Sequence, residues 1–227
     1  MTVNDYTGHA TSNLGRYKLC REPTVRHALL RSPVQPYMIL ESQQWRTPKW
    51  VIKKVCGFLG IKSFDLDACA DRESSVAPKF FSTEKSCLTH EWDVHSGASV
   101  WMNPPFGQRG VPKKRLREAG LDPKEFAPFP GVDVFIQRAK DQACQHNLTV
   151  AVCIPTATDT KRLKLVWDAD LELCLGRVAF EDLDGKPQKS PPGGHSVYVW
   201  EGRFGNGLHP RRGPTRYLLP PPKSIVG

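Results

Sequence analysis

The sequence predicts an α/β fold: a mostly parallel sheet with helices on both faces and an antiparallel pair of strands near the C-terminus. Three observations predict it. Apolar residues switch between helical and strand spacing along the middle of the chain. Two segments, Ala98-Ser99-Val100-Trp101-Met102 and Leu148-Thr149-Val150-Ala151-Val152-Cys153-Ile154, are short apolar runs of the kind seen in strands covered on both faces. Near the C-terminus, strand-like pieces are separated by the turn signal Asp184-Gly185.

Taken in order, residues 1–44 show no sustained periodicity and are punctuated by Pro23, Pro33 and Pro36, which reads as an arm or irregular layer. Trp45-Arg46-Thr47-Pro48 opens the main unit, 45–200. Thr47 is placed as the N-cap and Pro48 as the first helical residue. Trp50, Val51, Val55, Phe58 and Leu59 then recur at helical spacing, and Gly60 ends the helix. Phe64 to Ala70 alternates and then turns among small residues, which predicts a strand running into a tight turn. Asp71 to Pro78 is loop, Lys79-Phe80-Phe81 a short apolar step, and Cys87 to Gly97 a connection. Ser99–Met102 is a strand that stops at two prolines.

Gly107 to about Gly131 is rich in Gly, Pro and basic residues and reads as an insert, 108–131, in the main unit. Val132 to Cys144 predicts a helix, Leu148 to Ile154 a strand and Thr160 to Trp167 a helix. Leu171–Leu175 and Val178–Phe180 are strand-like, split by Gly176-Arg177, and Ser196–Trp200 alternates as a final strand. From residue 201 to 227 Gly, Pro and Arg dominate, which predicts a loosely packed tail.

A chain of 227 residues can bury a sizeable core. It has no apolar run long enough to cross a bilayer and no apolar leader at its start, which points to an intracellular protein without a membrane role. The formal net charge is +9, and the excess is concentrated outside the apolar elements. The insert carries Arg109, Lys113, Lys114, Arg115 and Arg117, and the tail adds Arg203, Arg211, Arg212 and Arg216. A basic rim around a balanced interior suits a phosphate-bearing partner, and equally a solvated surface. Seven scattered cysteines without a Cys-x-x-Cys pair read as reduced thiols. Cys87-x-x-His90-x-x-x-x-His95 has no fourth ligand at a usual interval, so no metal is expected.

The most informative stretch is Asn103-Pro104-Pro105-Phe106. Each proline removes a backbone donor, fixes φ, and biases the preceding residue away from the helical region. The loop therefore holds an amide and a carbonyl in one orientation beside an aromatic ring. That combination grips an exocyclic amino group, although a simple proline-stiffened turn has the same skeleton. In open α/β sheets ligands bind beyond the carboxyl ends of strands. Asp67 and Asn103 both stand at predicted strand ends. Asp67 is placed to accept hydrogen bonds from a cofactor's amino group or ribose, or to serve as a loop carboxylate. Ala68 and Ala70 leave room for close approach.

With these residues in view the chain resembles the compact phage-type DNA N6-adenine methyltransferases. The resemblance runs collinearly over about 45–200. It rests on Trp45-x-Thr47-Pro48, Phe64-Asp65-Leu66-Asp67-Ala68-Cys69-Ala70, Phe80-Phe81-Ser82-Thr83-Glu84 and Trp101-Met102-Asn103-Pro104-Pro105-Phe106-Gly107. Further matches lie at 154–160, 176–180 and 191–197. It implies a Rossmann-like methyltransferase that uses S-adenosylmethionine and acts on adenine N6 in DNA. Asn103, Pro104, Pro105 and Phe106 would be catalytic, with Asn103 and the Pro104 carbonyl on the amino group and Phe106 stacked on the base. Thr47, Pro48, Asp67, Cys69 and Ala70 would line the cofactor, and Arg109, Lys113, Lys114, Arg115 and Arg117 would contact DNA. The chain lacks a Phe-x-Gly-x-Gly loop, as the compact phage type does, and both Asp93 and Glu84 are candidates for the ribose. The same grip serves RNA adenine, cytosine N4 or a protein glutamine, and the basic rim would also suit an inert nucleic-acid-binding relative. No motif encodes the target sequence or an oligomeric state.

Overall fold

A buried Trp101 at the centre of a strand that ends in Pro104-Pro105 organises the fold around it. In the computed structural model the described residues are 46–82, 85–105, 130–156, 160–182, 184–188, 193–202 and 213–219. All belong to one compact unit spanning 33–227. The expected N-terminal arm lies outside the described residues, as does nearly all of the 108–131 insert.

Helix α1, Lys49–Leu59, has Pro48 rather than Thr47 at its N-cap. Pro48 has an extended ψ of 140°, and its carbonyl accepts from the Val51 N–H at 3.0 Å, so the helix begins one residue later than predicted. Gly60 ends it in the left-handed conformation, φ 68°, where a residue without Cβ is unstrained. The strands follow as β1 Leu66–Asp67, β2 Lys79–Phe80, β3 Ser99–Met102, β4 Thr149–Pro155, β5 Leu171–Gly176, β6 His195–Glu201 and β7 Thr215–Leu218. Helices α2, Val132–His146, and α3, Thr160–Val166, flank β4 in sequence.

The seven strands form one sheet in the order β2-β1-β3-β4-β6-β5-β7. Strand β6 runs antiparallel to both neighbours, and every other adjacent pair is parallel. This is a Rossmann-like sheet with the expected antiparallel pair, β5 and β6, and one further strand beyond it. Two corrections follow. Val178–Phe180 is not a strand: Gly176 at φ 73° turns the chain away after β5, and Val178 and Phe180 bury their side chains in the core instead. The tail is not uniformly loose: Thr215–Leu218 pairs in register with Leu171–Cys174.

Strand alternation sorts the core into two layers. Val100, Met102, Val150, Val152, Ile154, Tyr198 and Trp200 pack on the side of α2 and α3, with Phe135, Ile136, Ala139 and Val166. Trp101, Ala151, Cys153, Leu173, Leu175, Val197 and Val199 pack on the side of α1, with Val51 and Val55. A period of two in the strands meets a helix on each face, as a sheet covered on both sides requires. The six described cysteines are free thiols.

Candidate active site

From β1 the chain moves outward to β2, then returns to place β3 on the opposite flank of β1. The crevice beyond the carboxyl ends of β1 and β3 is therefore the topological switch point, where open α/β sheets take ligands. Asp67 is the last residue of β1 and stands in register with Trp101; Asn103 is the first residue past β3. Trp101 faces the α1 layer, so alternation puts Asp67 and Asn103 on that same side. Thr47 and Pro48 lead into helix α1, whose Val51 and Val55 pack in the same layer as Trp101. The Arg46 N–H donates to the Glu181 carbonyl at 2.8 Å, and the Arg46 guanidinium meets Glu73 at 3.0 Å. That ion pair ties the 46–48 segment to the loop that follows Asp67.

Asp67 is 3% exposed. Its Oδ1 accepts from the Cys69 N–H at 3.2 Å and its Oδ2 from the Val76 N–H at 3.1 Å. Burial pushes its carboxyl up to about 6; the two N–H bonds work against burial without cancelling it, and nearby Asp71 adds to the rise. The turn it shapes has no spare donors. Ala68 N–H goes to the Trp101 carbonyl at 2.8 Å, Cys69 N–H to Asp67, and Ala70 N–H to the Phe81 carbonyl at 2.9 Å. A phosphate cradle needs free backbone N–H groups. This turn offers a carboxylate and small side chains instead, which suits a cationic, phosphate-free ligand. Cys69 also faces Cys87 with sulfurs 3.8 Å apart, and burial holds its thiol well above the ordinary range.

Asn103 is half-buried with its Oδ1 enclosed, Pro104 is buried and Pro105 half-buried. Phe106, Arg109, Lys113, Lys114, Arg115 and Arg117 lie outside the described residues, as does Glu84. Of the two ribose candidates, Asp93 is exposed beside β2, its carbonyl accepting from Lys79 Nζ at 2.9 Å.

One cluster escaped the sequence reading. Glu172, 1% exposed in mid-strand β5, accepts through Oε1 from Ser196 Oγ at 3.0 Å and Tyr198 OH at 3.1 Å. Its Oε2 takes Nε and Nη2 of Arg216 at 2.9 and 2.8 Å. Ser196 Oγ lies 3.0 Å from Thr156 Oγ1, and Thr156 is the first residue past β4. The signal was a carboxylate inside the apolar run Leu171-Glu172-Leu173, which is costly unless paired; Arg216 and Ser196 gave no signal of their own. His195, 3% exposed, lies edge-on to Phe180 at 4.8 Å, and burial lowers its imidazole to about 4.

Residues 39–201 match the family model for DNA N-6-adenine-methyltransferase (Dam). The chain belongs to the Dam family. The matched span covers every described element except β7. Over 192 residues the chain is 26% identical to the DNA N-6-adenine-methyltransferase of Escherichia phage T1, an alignment that takes in 79% of this chain and 65% of that relative. The chain thus spans just under two thirds of the curated relative's length. Among solved structures, a proposed RNA methyltransferase from Pyrococcus horikoshii is similar at a TM-score of 0.44 and 13% identity, covering 80% of this chain and 98% of that one. Within the Dam family match, Asn103-Pro104-Pro105 and Asp67 fall at adjacent strand ends of one crevice.

Proposed function

We propose that this Dam family member transfers a methyl group from S-adenosylmethionine to the exocyclic N6 of adenine in DNA. The observation that carries the reading is the placement of Asp67 and Asn103 on one side of the sheet, at the two strand ends that flank the switch point. The turn after Asp67 fits S-adenosylmethionine: it presents a buried carboxylate to a cationic ligand and withholds the N–H groups that a pyrophosphate would need. Asp67, Cys69, Ala70, Thr47 and Pro48 would hold the cofactor. S-adenosylmethionine supplies a methyl group made electrophilic by its sulfonium.

The chain's own residues do the rest. Asn103 Oδ1 and the Pro104 carbonyl accept the two N–H bonds of the amino group, which orients its lone pair away from them and toward the cofactor side. Two prolines remove the backbone freedom that would let those acceptors turn aside. Phe106 stacks on the base once it leaves the duplex, a step that an enzyme acting on a paired base requires. Arg109, Lys113, Lys114, Arg115 and Arg117 contact phosphates.

The test is transfer of labelled methyl from S-adenosylmethionine to duplex DNA, RNA and protein, with digestion and identification of the modified unit. N6-methyladenine in DNA is the expected product. Label only in RNA adenine, cytosine N4 or protein glutamine would replace the substrate. No transfer to any of them would leave a nucleic-acid-binding relative. Asn103→Ala is expected to abolish transfer while cofactor affinity changes little.

A further inference from the structure

Arg46 holds a hydrogen-bond donor that the fold leaves unused. Its Nη2 donates to Glu73 Oε2 at 3.0 Å, while its Nε is buried and has no partner among the described residues. Nε and Nη2 form one edge of the guanidinium, the fork that takes a carboxylate with two parallel bonds. Arg216 shows the full use of that edge in the same molecule, with Nε and Nη2 both on Glu172 at 2.9 and 2.8 Å. We propose that Arg46 is the carboxylate receptor of this site and takes the amino-acid carboxylate of S-adenosylmethionine in exchange for Glu73, an assignment that rests on the methyltransferase reading above.

Backbone contacts place Arg46 at the carboxyl rim. It pairs in both directions with Glu181, N–H to carbonyl at 2.8 and 3.0 Å. The neighbouring Phe180 lies against His195, with ring centroids 4.8 Å apart, and His195 stands opposite Pro155, the last residue of β4. Phe180 packs in the same layer as Trp101, on the face of the sheet to which alternation assigns Asp67 and Asn103. From there the Arg46 side chain reaches the loop that follows β1. That loop carries Glu73 and, three residues later, the Val76 N–H that binds Asp67 Oδ2. Val76 packs against the same layer. One short segment, 73–76, thus meets both the Arg46 guanidinium and the Asp67 carboxylate.

The two partners of the ion pair are unequally committed. The Arg46 side chain is 17% exposed and the Glu73 side chain 79%. Glu73 gives up little on returning to water, since an exposed carboxylate keeps most of its hydration. Arg46 has no such outlet: a buried N–H without an acceptor carries the desolvation cost of that donor. A ligand carboxylate that takes Nε and Nη2 together removes this cost and lets Glu73 turn outward. On S-adenosylmethionine the carboxylate is the single anion, beside an ammonium and a sulfonium. A DNA phosphate is the other anion of the proposed reaction, but a duplex backbone meets side chains that project from the surface, and Arg46 is recessed.

The test measures binding, by calorimetry and by the ligand-induced rise in melting temperature, for wild type, Arg46→Met, Arg46→Lys and Glu73→Gln. Two ligands are compared: S-adenosylhomocysteine, which keeps the amino-acid end, and methylthioadenosine, which lacks it. Expected for Arg46→Met is a loss of about tenfold to a hundredfold in affinity for S-adenosylhomocysteine, with affinity for methylthioadenosine unchanged. Arg46→Lys keeps the charge without the fork and should lose part of that affinity. Glu73→Gln should bind S-adenosylhomocysteine at least as tightly as wild type. If Arg46→Met fails to fold, Arg46→Lys decides by the same comparison. Wild-type affinity for S-adenosylhomocysteine in the Arg46 variants, an equal loss for both ligands, or an equal loss in Glu73→Gln overturns the assignment, because the pair then only ties the loop in place. A loss confined to duplex DNA affinity moves Arg46 to a phosphate and overturns it as well. Each of these results leaves the methyltransferase reading intact. A wild type that binds neither ligand overturns the cofactor reading, and the assignment falls with it.

Discussion

Asp67 shows why a residue can be legible in position and illegible in energy. Its place at a strand end before small residues follows from the sequence. Its burial depends on pairing with β3, where Asp67 stands opposite Trp101, 34 residues on, and no local pattern reports that; the two N–H groups that converge on it, from Cys69 and Val76, are local. A carboxyl raised to about 6 binds its proton more tightly folded than unfolded. Its contribution to stability is therefore complete below the ordinary carboxylate range and is lost as pH rises through about 6. At pH 8 the ionised group opposes folding by up to about 3 kcal/mol. Asp67→Asn removes that charge but gives up one N–H bond of about 1 kcal/mol, because an amide nitrogen cannot accept. The cofactor-free variant should thus melt above wild type at pH 8, with the gap closing toward pH 4. Melting curves across pH check this, and a variant that melts below wild type at pH 8 would be inconsistent with it. Adding S-adenosylmethionine should raise the melting temperature of wild type far more than that of the variant. Cofactor affinity of the wild type should fall as pH drops below about 6.

Elements held by their own apolar spacing were readable; those held by a neighbour were not. Helix α2 and strand β4 declare themselves through Phe135, Ala139, Ala143 and the unbroken run to Ile154. Strand β7 has four exposed residues and exists because β5 offers it a free edge and Glu172 pairs with Arg216. Arg216→Ala should therefore destabilise the fold, and the double variant Glu172→Gln/Arg216→Ala should recover part of the loss, because the uncompensated buried charge is gone. Denaturant unfolding of the set measures both. The end of α2 gives a sharper case. Asn147 caps it at φ 53°, and a Cβ on Gly202 would lie 2.5 Å from the Asn147 backbone and 2.6 Å from the Ala143 carbonyl. Backbone cannot swing aside as a side chain can, so Gly202→Ala should cost on the order of 2–3 kcal/mol. An unfolding midpoint equal to wild type would show that the α2 terminus yields.

At the scale of the molecule, the charge of +9 is a property of partners rather than of the fold. Among the described residues the core holds few charges: Glu172 pairs with Arg216, and Asp67 accepts two backbone N–H bonds, so the basic excess lies outside it. What composition could not show is which surface meets DNA. If Lys113, Lys114, Arg115 and Arg117 each neutralise a phosphate, replacing all four by glutamine should flatten the slope of log affinity against log salt by about 3–4. Titrations with duplex DNA at several salt concentrations read that slope, and an unchanged one would take the insert out of the interface. The fold class was legible because alternating helix and strand patterns admit few layered arrangements. The buried cluster of Glu172, Ser196, Tyr198 and Arg216 was not, because it joins β5, β6 and β7, whose order along the sheet is not their order along the chain.

The three committed amides at Ala68, Cys69 and Ala70 give this loop an unusual character. Loops near a surface normally exchange their amide hydrogens with solvent quickly, because nothing but water competes for them. Here the protons sit in bonds to the Trp101 carbonyl in β3, the buried Asp67 carboxylate and the Phe81 carbonyl just past β2, so they should exchange as slowly as those of β3 in the protein without ligand. A cofactor arriving at such a loop finds a wall already set, and little ordering is left for binding to accomplish.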